Sequence, residues 1–214
     1  MGFHIMTNIA RNLQPATVLL ATGPVQIFAP NRPIYIAGDA AEALHKVVSG
    51  MVRTVRFLHD GKRQIDAFYS SGDLFGFERG ASHTLSAEAV SRCTLVSYRH
   101  TGLAVAMHNQ ELTRQLYNHT LDGLARAQAH VRLLAHGGAT AKLAGFLLEC
   151  SELSADGGLI TFGMARHDIA DYLGLTVETV SRTLTELRKA SFIEFISARE
   201  VRLKNLPGLR ILNS

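Results

Sequence analysis

Asp171-Tyr172-Leu173-Gly174-Leu175-Thr176-Val177-Glu178-Thr179-Val180-Ser181-Arg182 is the stretch that decides the fold. It reads as the end of one helix, a tight turn at Gly174 and the first turns of a second helix. Glu178, Ser181 and Arg182 stand at i, i+3 and i+4, so they project from one face. A carboxylate accepts a hydrogen bond from cytosine N4, and an arginine forks onto guanine O6 and N7. The pair therefore addresses one G·C base pair from both sides of the major groove. On an isolated helix the same Glu and Arg are an ordinary surface ion pair. Behind a helix and a glycine turn they form a DNA-reading surface.

Around this stretch the chain falls into three regions of different periodicity. On its C-terminal side, 192–196 and 200–203 are β-rich and flank Ser197-Ala198-Arg199, a hairpin that forms the wing of a winged helix-turn-helix. On its N-terminal side, 142–152 reads as an amphipathic helix burying Leu143, Phe146, Leu147 and Cys150, and 159–162 reads as a strand. His136-Gly137-Gly138-Ala139-Thr140 breaks the pattern and reads as a hinge. Residues 109–135 contain no proline and a single glycine, and Tyr117, Leu121, Leu124, Gln128 and Val131 recur at the 4,3 spacing of a heptad seam. Leu112, Leu116, Leu133 and Leu134 form a second apolar set, expected to cover the β-rich region while the seam packs on a second copy of the helix. From about 25 to 98 the signals are short strands (34–36, 46–48, 52–57, 64–68 and 94–98) separated by Gly38-Asp39, Ser49-Gly50, Asp60-Gly61 and 70–73. Asp60-Gly61 marks a hairpin. The expected class is α+β, with a β-barrel or jelly roll over 1–108, a dimerisation helix over 109–136 and a winged helix-turn-helix over 137–214.

Composition sets bounds without naming a partner. With 47% hydrophobic and 19% charged residues the chain is globular and not disordered. No apolar run approaches the ~18 residues of a membrane span. The start, Met1 to Pro15, lacks the order of a secretory signal, and two cysteines fit a reducing cytoplasm. Net charge is +4, yet residues 137–214 carry nine basic and nine acidic side chains. After Glu178 the balance turns to seven basic against three acidic, so the positive charge lies with the second helix and the wing. There is no metal-ligand spacing, nucleophile elbow or phosphate loop, so no enzyme is expected.

These parts in this order resemble the CRP/FNR superfamily of transcription regulators. The likeness rests on Ile34-Tyr35, Gly38-Asp39, Val48, Gly50-Met51-Val52-Arg53, Asp60-Gly61-Lys62-Arg63-Gln64-Ile65, Phe68 and Gly72-Asp73-Leu74-Phe75-Gly76 in the β-rich region. It continues through Ala144-Gly145-Phe146-Leu147-Leu148, the run Arg166 to Thr176, and Glu178 to Arg182. The residue before the reading glutamate is Val177, where the CRP branch has an arginine, so the resemblance is to the FNR and FixK branches. It implies a cyclic-nucleotide-binding-like β-barrel, a homodimer, and a palindromic TTGAT-type site on double-stranded DNA with half-sites about one turn apart. It further implies an activator that contacts RNA polymerase and serves a response to oxygen limitation or nitrogen oxides. Thr176, Thr179, Arg199 and Arg202 are the phosphate-contact candidates.

The sensors of the wider superfamily do not match. Residues 1–92 contain no cysteine, while an iron–sulfur cluster needs about four thiolates, so no cluster is expected and Cys93 and Cys150 read as buried apolar groups. Relatives that bind cAMP carry Gly-Glu-Leu and an Arg-Ser/Thr pair. Here Gly76 is followed by Phe77, and Ser82-His83-Thr84 supplies no arginine, so no cAMP is expected. His108, His119 and His130 recur at intervals of eleven, on one face but ~16 Å apart along the axis, too far to share a metal. They read as a solvated or interfacial stripe, with one of them as a haem ligand in the alternative of a nitric-oxide-sensing regulator. No acidic residue at the seam repels its twin. The leading expectation is therefore a constitutive FixK-like dimer, without cofactor, whose activity follows its abundance.

Overall fold

Alternating small or apolar residues and tight turns build the N-terminal half. In the structure, a computed structural model describing residues 23–99, 110–135, 137–152 and 158–213, these segments pair into two sheets. The strands are β1 (Val25–Phe28), β2 (Pro33–Tyr35), β3 (Ala43–Ser49), β4 (Val52–Phe57), β5 (Arg63–Tyr69), β6 (Leu74–Phe75), β7 (Ser86–Ala89) and β8 (Cys93–Arg99). One antiparallel sheet has the order β1-β8-β3-β6 and the other β2-β7-β4-β5, the interleaving of a jelly roll. Val47, Val52, Phe75, Ala87, Ala89 and Leu95 fill the space between the sheets. Arg53 is buried in the same unit, its charge met by Glu88 at 2.7 Å. The β4–β5 hairpin closes at Asp60-Gly61 as expected, with the Leu58 amide on the Lys62 carbonyl and Gly61 at positive φ.

One helix, α1 (Gln110–Ala135), follows. The described residues group into two compact units that meet within it, one ending at Ala127 and one starting at Gln128. The second apolar set of α1 divides accordingly. Leu116 packs on Leu44, Val96 and Tyr98 of the jelly roll. Leu133 is buried against Gly145 in the other unit and Leu134 approaches Gly174 there, so both leucines find packing partners within that unit, where the sequence suggested the β-rich region. The switch follows from α1's length: a 26-residue helix spans roughly 39 Å, more than one small unit can cover.

The second unit continues with α2 (Ala139–Glu152), β9 (Leu159–Thr161), α3 (Arg166–Leu173), α4 (Val177–Lys189), β10 (Ile193–Phe195), β11 (Glu200–Leu203) and α5 (Leu206–Leu212). Its sheet runs β10-β11-β9, antiparallel throughout. Leu143, Leu147, Ile160, Ile169, Leu184 and Leu209 form its interior. Gly145 lets the helices close up, because a Cβ there would collide with Asn213 and Leu133. Met1 to Pro15, His108, His136 and the side chain of Leu112 lie outside the described residues.

Candidate nucleic-acid interface

The reading helix is oriented by its own apolar stripe. Val180, Thr183, Leu184 and Leu187, at i, i+3, i+4 and i+7, are buried. Glu178 and Arg182 are exposed on the other side of α4 and Ser181 is half-buried beside them. The turn before α4 is built by Gly174 in the left-handed region (φ 64°, ψ 40°), whose amide bonds back to the Ala170 carbonyl. Thr176 then caps α4, its hydroxyl accepting from the Thr179 amide at 3.2 Å. At the start of α3, Asp168 accepts from the Ala165 amide, the half of a capping box that an alanine cap leaves available.

Glu178 and Arg182 are not spent on each other. Arg182 lies 3.9 Å from Glu186, with 72% of its side chain exposed, and Glu178 makes no ion pair among the described residues. The Glu178 backbone amide, followed by the Thr176 hydroxyl, holds the Glu178 carboxyl below its usual range. The carboxylate is therefore charged and able to accept near neutrality. Val177 is partly exposed beside it and offers only methyl groups.

The weaker candidates sit around this surface. Thr176 and Thr179 face each other at 3.1 Å, so one of these two hydroxyls already serves the cap. Arg199 is exposed in the β10–β11 turn, which Ser197 fastens through the amides of Arg199 and Glu200. Arg202 is exposed on β11, opposite Glu194 in register. Arg166 and Arg188, which sequence reasoning did not single out, both lie over the Phe195 ring, at 5.3 and 5.7 Å. They tie the start of α3 and the end of α4 to the wing. Only tertiary packing reveals this arrangement, since the three residues share no spacing.

The seam residues are outward-facing in the single chain: Tyr117 is 63% exposed, Leu121 44%, Leu124 54% and Val131 65%, with Gln128 also exposed. His130 departs from its expected place on a solvated or interfacial stripe. It is 7% exposed and stacks on Tyr172 (3.9 Å, 2°), because the last turns of α1 are covered by α3. His119 is half-buried, and desolvation pushes its imidazole below the usual value.

In the jelly roll, a cavity of about 180 Å³ is lined by Tyr35, Asp66, Tyr69, Phe75, Phe77 and Glu78, among others. Glu78 accepts from the Thr84 amide at 2.9 Å and lies 3.6 Å from His83. Cys93 is buried, its thiol donating to the Met51 carbonyl, and burial pushes it up; Cys150 is pushed up to about 12 by the same cause. Both behave as the apolar groups expected.

An outward face carrying Glu178, Arg182 and the half-buried Ser181 on the second helix of a winged helix-turn-helix, in a chain that also has a jelly roll and a long helix, is the architecture of a DNA-binding transcription regulator. A model of the Crp-like helix-turn-helix domain matches residues 141–212, and one of the cyclic nucleotide-binding domain matches residues 25–110. The nitrogen fixation regulation protein FixK of Azorhizobium caulinodans is 42% identical over 94% of this chain and 84% of its own. FixK of Rhizobium meliloti is 38% identical over 89% of both. The structure of FixK2 from Bradyrhizobium japonicum superposes with a TM-score of 0.83 at 36% identity, covering 90% of this chain and 98% of that one. The chain belongs to the CRP/FNR superfamily of transcription regulators, in its FixK-like branch. No helix among the described residues is long and apolar enough to cross a membrane.

Proposed function

We propose that the protein is a cytoplasmic transcription activator that binds a palindromic TTGAT-type site as a homodimer and requires no cofactor. The observation that carries this is the outward Glu178–Ser181–Arg182 face, whose carboxylate and guanidinium are not paired with each other. Arg182 donates to the guanine, Glu178 accepts from the paired cytosine, and Ser181 contacts the neighbouring thymine edge or a phosphate. Thr176, Thr179, Arg199 and Arg202 hold the backbone. The exposed stripe Tyr117, Leu121, Leu124, Gln128 and Val131 pairs with its twin, and two-fold symmetry gives the operator its inverted repeat.

Ligand independence is supported by the jelly-roll cavity. Its described lining includes Phe77 and no lysine or arginine to meet a phosphodiester, and the Asp66 carboxylate is paired with Arg56 at 2.8 Å. The relatives' name, nitrogen fixation regulation protein, supports target promoters in nitrogen-fixation regulation; a response to oxygen limitation or nitrogen oxides and recruitment of RNA polymerase belong to the same proposal. Purified protein, in air and without added ligand, should shift a TTGAT palindrome and leave a scrambled duplex unbound. Its spectrum should show no Soret band. Binding that appears only after haem or a nucleotide is added would overturn the reading.

A further inference from the structure

The four last carbonyls of a helix have no partner within it, and in α3 these carbonyls immediately precede the turn that aims the reading helix. The Ala170 carbonyl takes the Gly174 and Leu175 amides. The last two, those of Tyr172 and Leu173, are met from other helices. His130 Nε2, from the end of α1, lies 2.8 Å from the Tyr172 carbonyl oxygen. Lys142 Nζ, from α2, donates to the Leu173 carbonyl at 3.2 Å. A carbonyl only accepts, so the His130 proton sits on Nε2. The imidazole is held by a parallel stack on the Tyr172 ring, which also meets Phe146 of α2 at 5.9 Å. Donors at a helix C-terminus are favoured by its dipole, and a buried carbonyl that loses its donor is costly.

We propose that His130 and Lys142 are positioning residues, a two-donor clamp on the C-terminal carbonyls of α3 that fixes the turn and hence the presentation of Glu178 and Arg182. His130 makes this placement depend on the last turns of α1. Those turns also carry Gln128 and Val131, so pairing of two chains at these seam positions and aiming of the reading helix act on one short piece of helix. The inference rests on the DNA-binding reading above for its functional consequence, and on the free protein alone for its structural one.

The test uses the full chain with His130→Phe, which keeps a stacking ring and removes the donor, His130→Gln, which keeps a donor, and Lys142→Met, which keeps the stem. In free protein, hydrogen exchange at the Leu175 and Val180 amides should speed up about tenfold in His130→Phe, while the Leu203 amide of the wing stays as in wild type. Anisotropy titration should show the palindrome bound about tenfold more weakly, ~1.4 kcal/mol, with non-specific binding unchanged. His130→Gln should recover most of both. If His130→Phe does not fold, Lys142→Met carries the test, with faster exchange at the same two amides and weaker palindrome binding. Unchanged exchange at those amides in the folded variants overturns the clamp. So do equal losses in His130→Phe and His130→Gln, or a parallel fall in specific and non-specific binding. Failure of wild type to select the palindrome would instead count against the proposed function and leave the exchange result standing.

Discussion

Leu124→Asp should convert the protein to a monomer without unfolding it. Leu124 is 54% exposed, so pairing buries about half of what complete burial of a leucine yields, ~1 kcal/mol per chain and ~2 kcal/mol for the symmetric pair. Tyr117, Leu121 and Val131 are exposed to a similar degree, which puts the apolar stripe at roughly 10 kcal/mol before the cost of association, ~4–15 kcal/mol, is met. The margin is therefore thin. Aspartate removes the ~2 kcal/mol and adds two like charges that pairing must desolvate, at several kcal/mol more. A loss of about 5 kcal/mol weakens the dimer by at least about a thousandfold. The cost within one chain is a fraction of a kcal/mol of helix propensity. Sedimentation equilibrium at micromolar protein, with a thermal melt in parallel, reads both quantities. A variant that remains dimeric at the wild-type concentration would refute this assignment of the seam. One that loses its fold would show that Leu124 is needed within the chain.

Three other outcomes follow from the geometry. Arg182→Ala should leave the melting temperature unchanged and weaken operator binding by ~1–3 kcal/mol per half-site in fluorescence anisotropy. Gly174→Ala forces a side chain into the left-handed region, with only ordinary contact to Leu134, and should destabilise the protein by ~1–2 kcal/mol in denaturant melts. Operator binding should persist from neutrality downward and fall as pH drops through the lowered Glu178 value. The depressed value means that the charged form is favoured when folded, and protonation removes the acceptor for cytosine. In Glu178→Gln this acid limb should vanish from the pH titration.

Most of the architecture was legible because the local signals were strong. The residues 52–57, the Asp60-Gly61 turn and the glycine before Thr176 each specify their conformation with little help from the rest of the chain. β7 was missed because Ser86-Ala87-Glu88-Ala89 has poor strand propensity. Its alanines are small because they lie wholly buried between two sheets. α5 was missed because Pro207 and Gly208 look like a loop, although Asn205 caps the helix and proline suits its first turn. The placement of Glu178, Ser181 and Arg182 on one side of α4 was legible in their helical spacing. That of His130, Arg166 and Arg188 was not, since each acts through a partner on another element: Tyr172 for the first, Phe195 for the other two. Leu133 and Leu134 share α1's period with Leu116, and periodicity alone does not say which neighbour covers which end.

If the Glu178 carboxylate and the Arg182 guanidinium on α4 jointly read a G·C pair in each arm of a symmetric operator, changing that pair must cost affinity. The direct measurement is a titration of the wild-type protein, at one salt concentration, against a TTGAT palindrome and the same duplex with that G·C pair changed to A·T in both arms. The changed duplex should bind ~2–6 kcal/mol more weakly over the two arms, at least about thirtyfold in affinity. Equal affinity for the two duplexes would contradict joint reading of the pair.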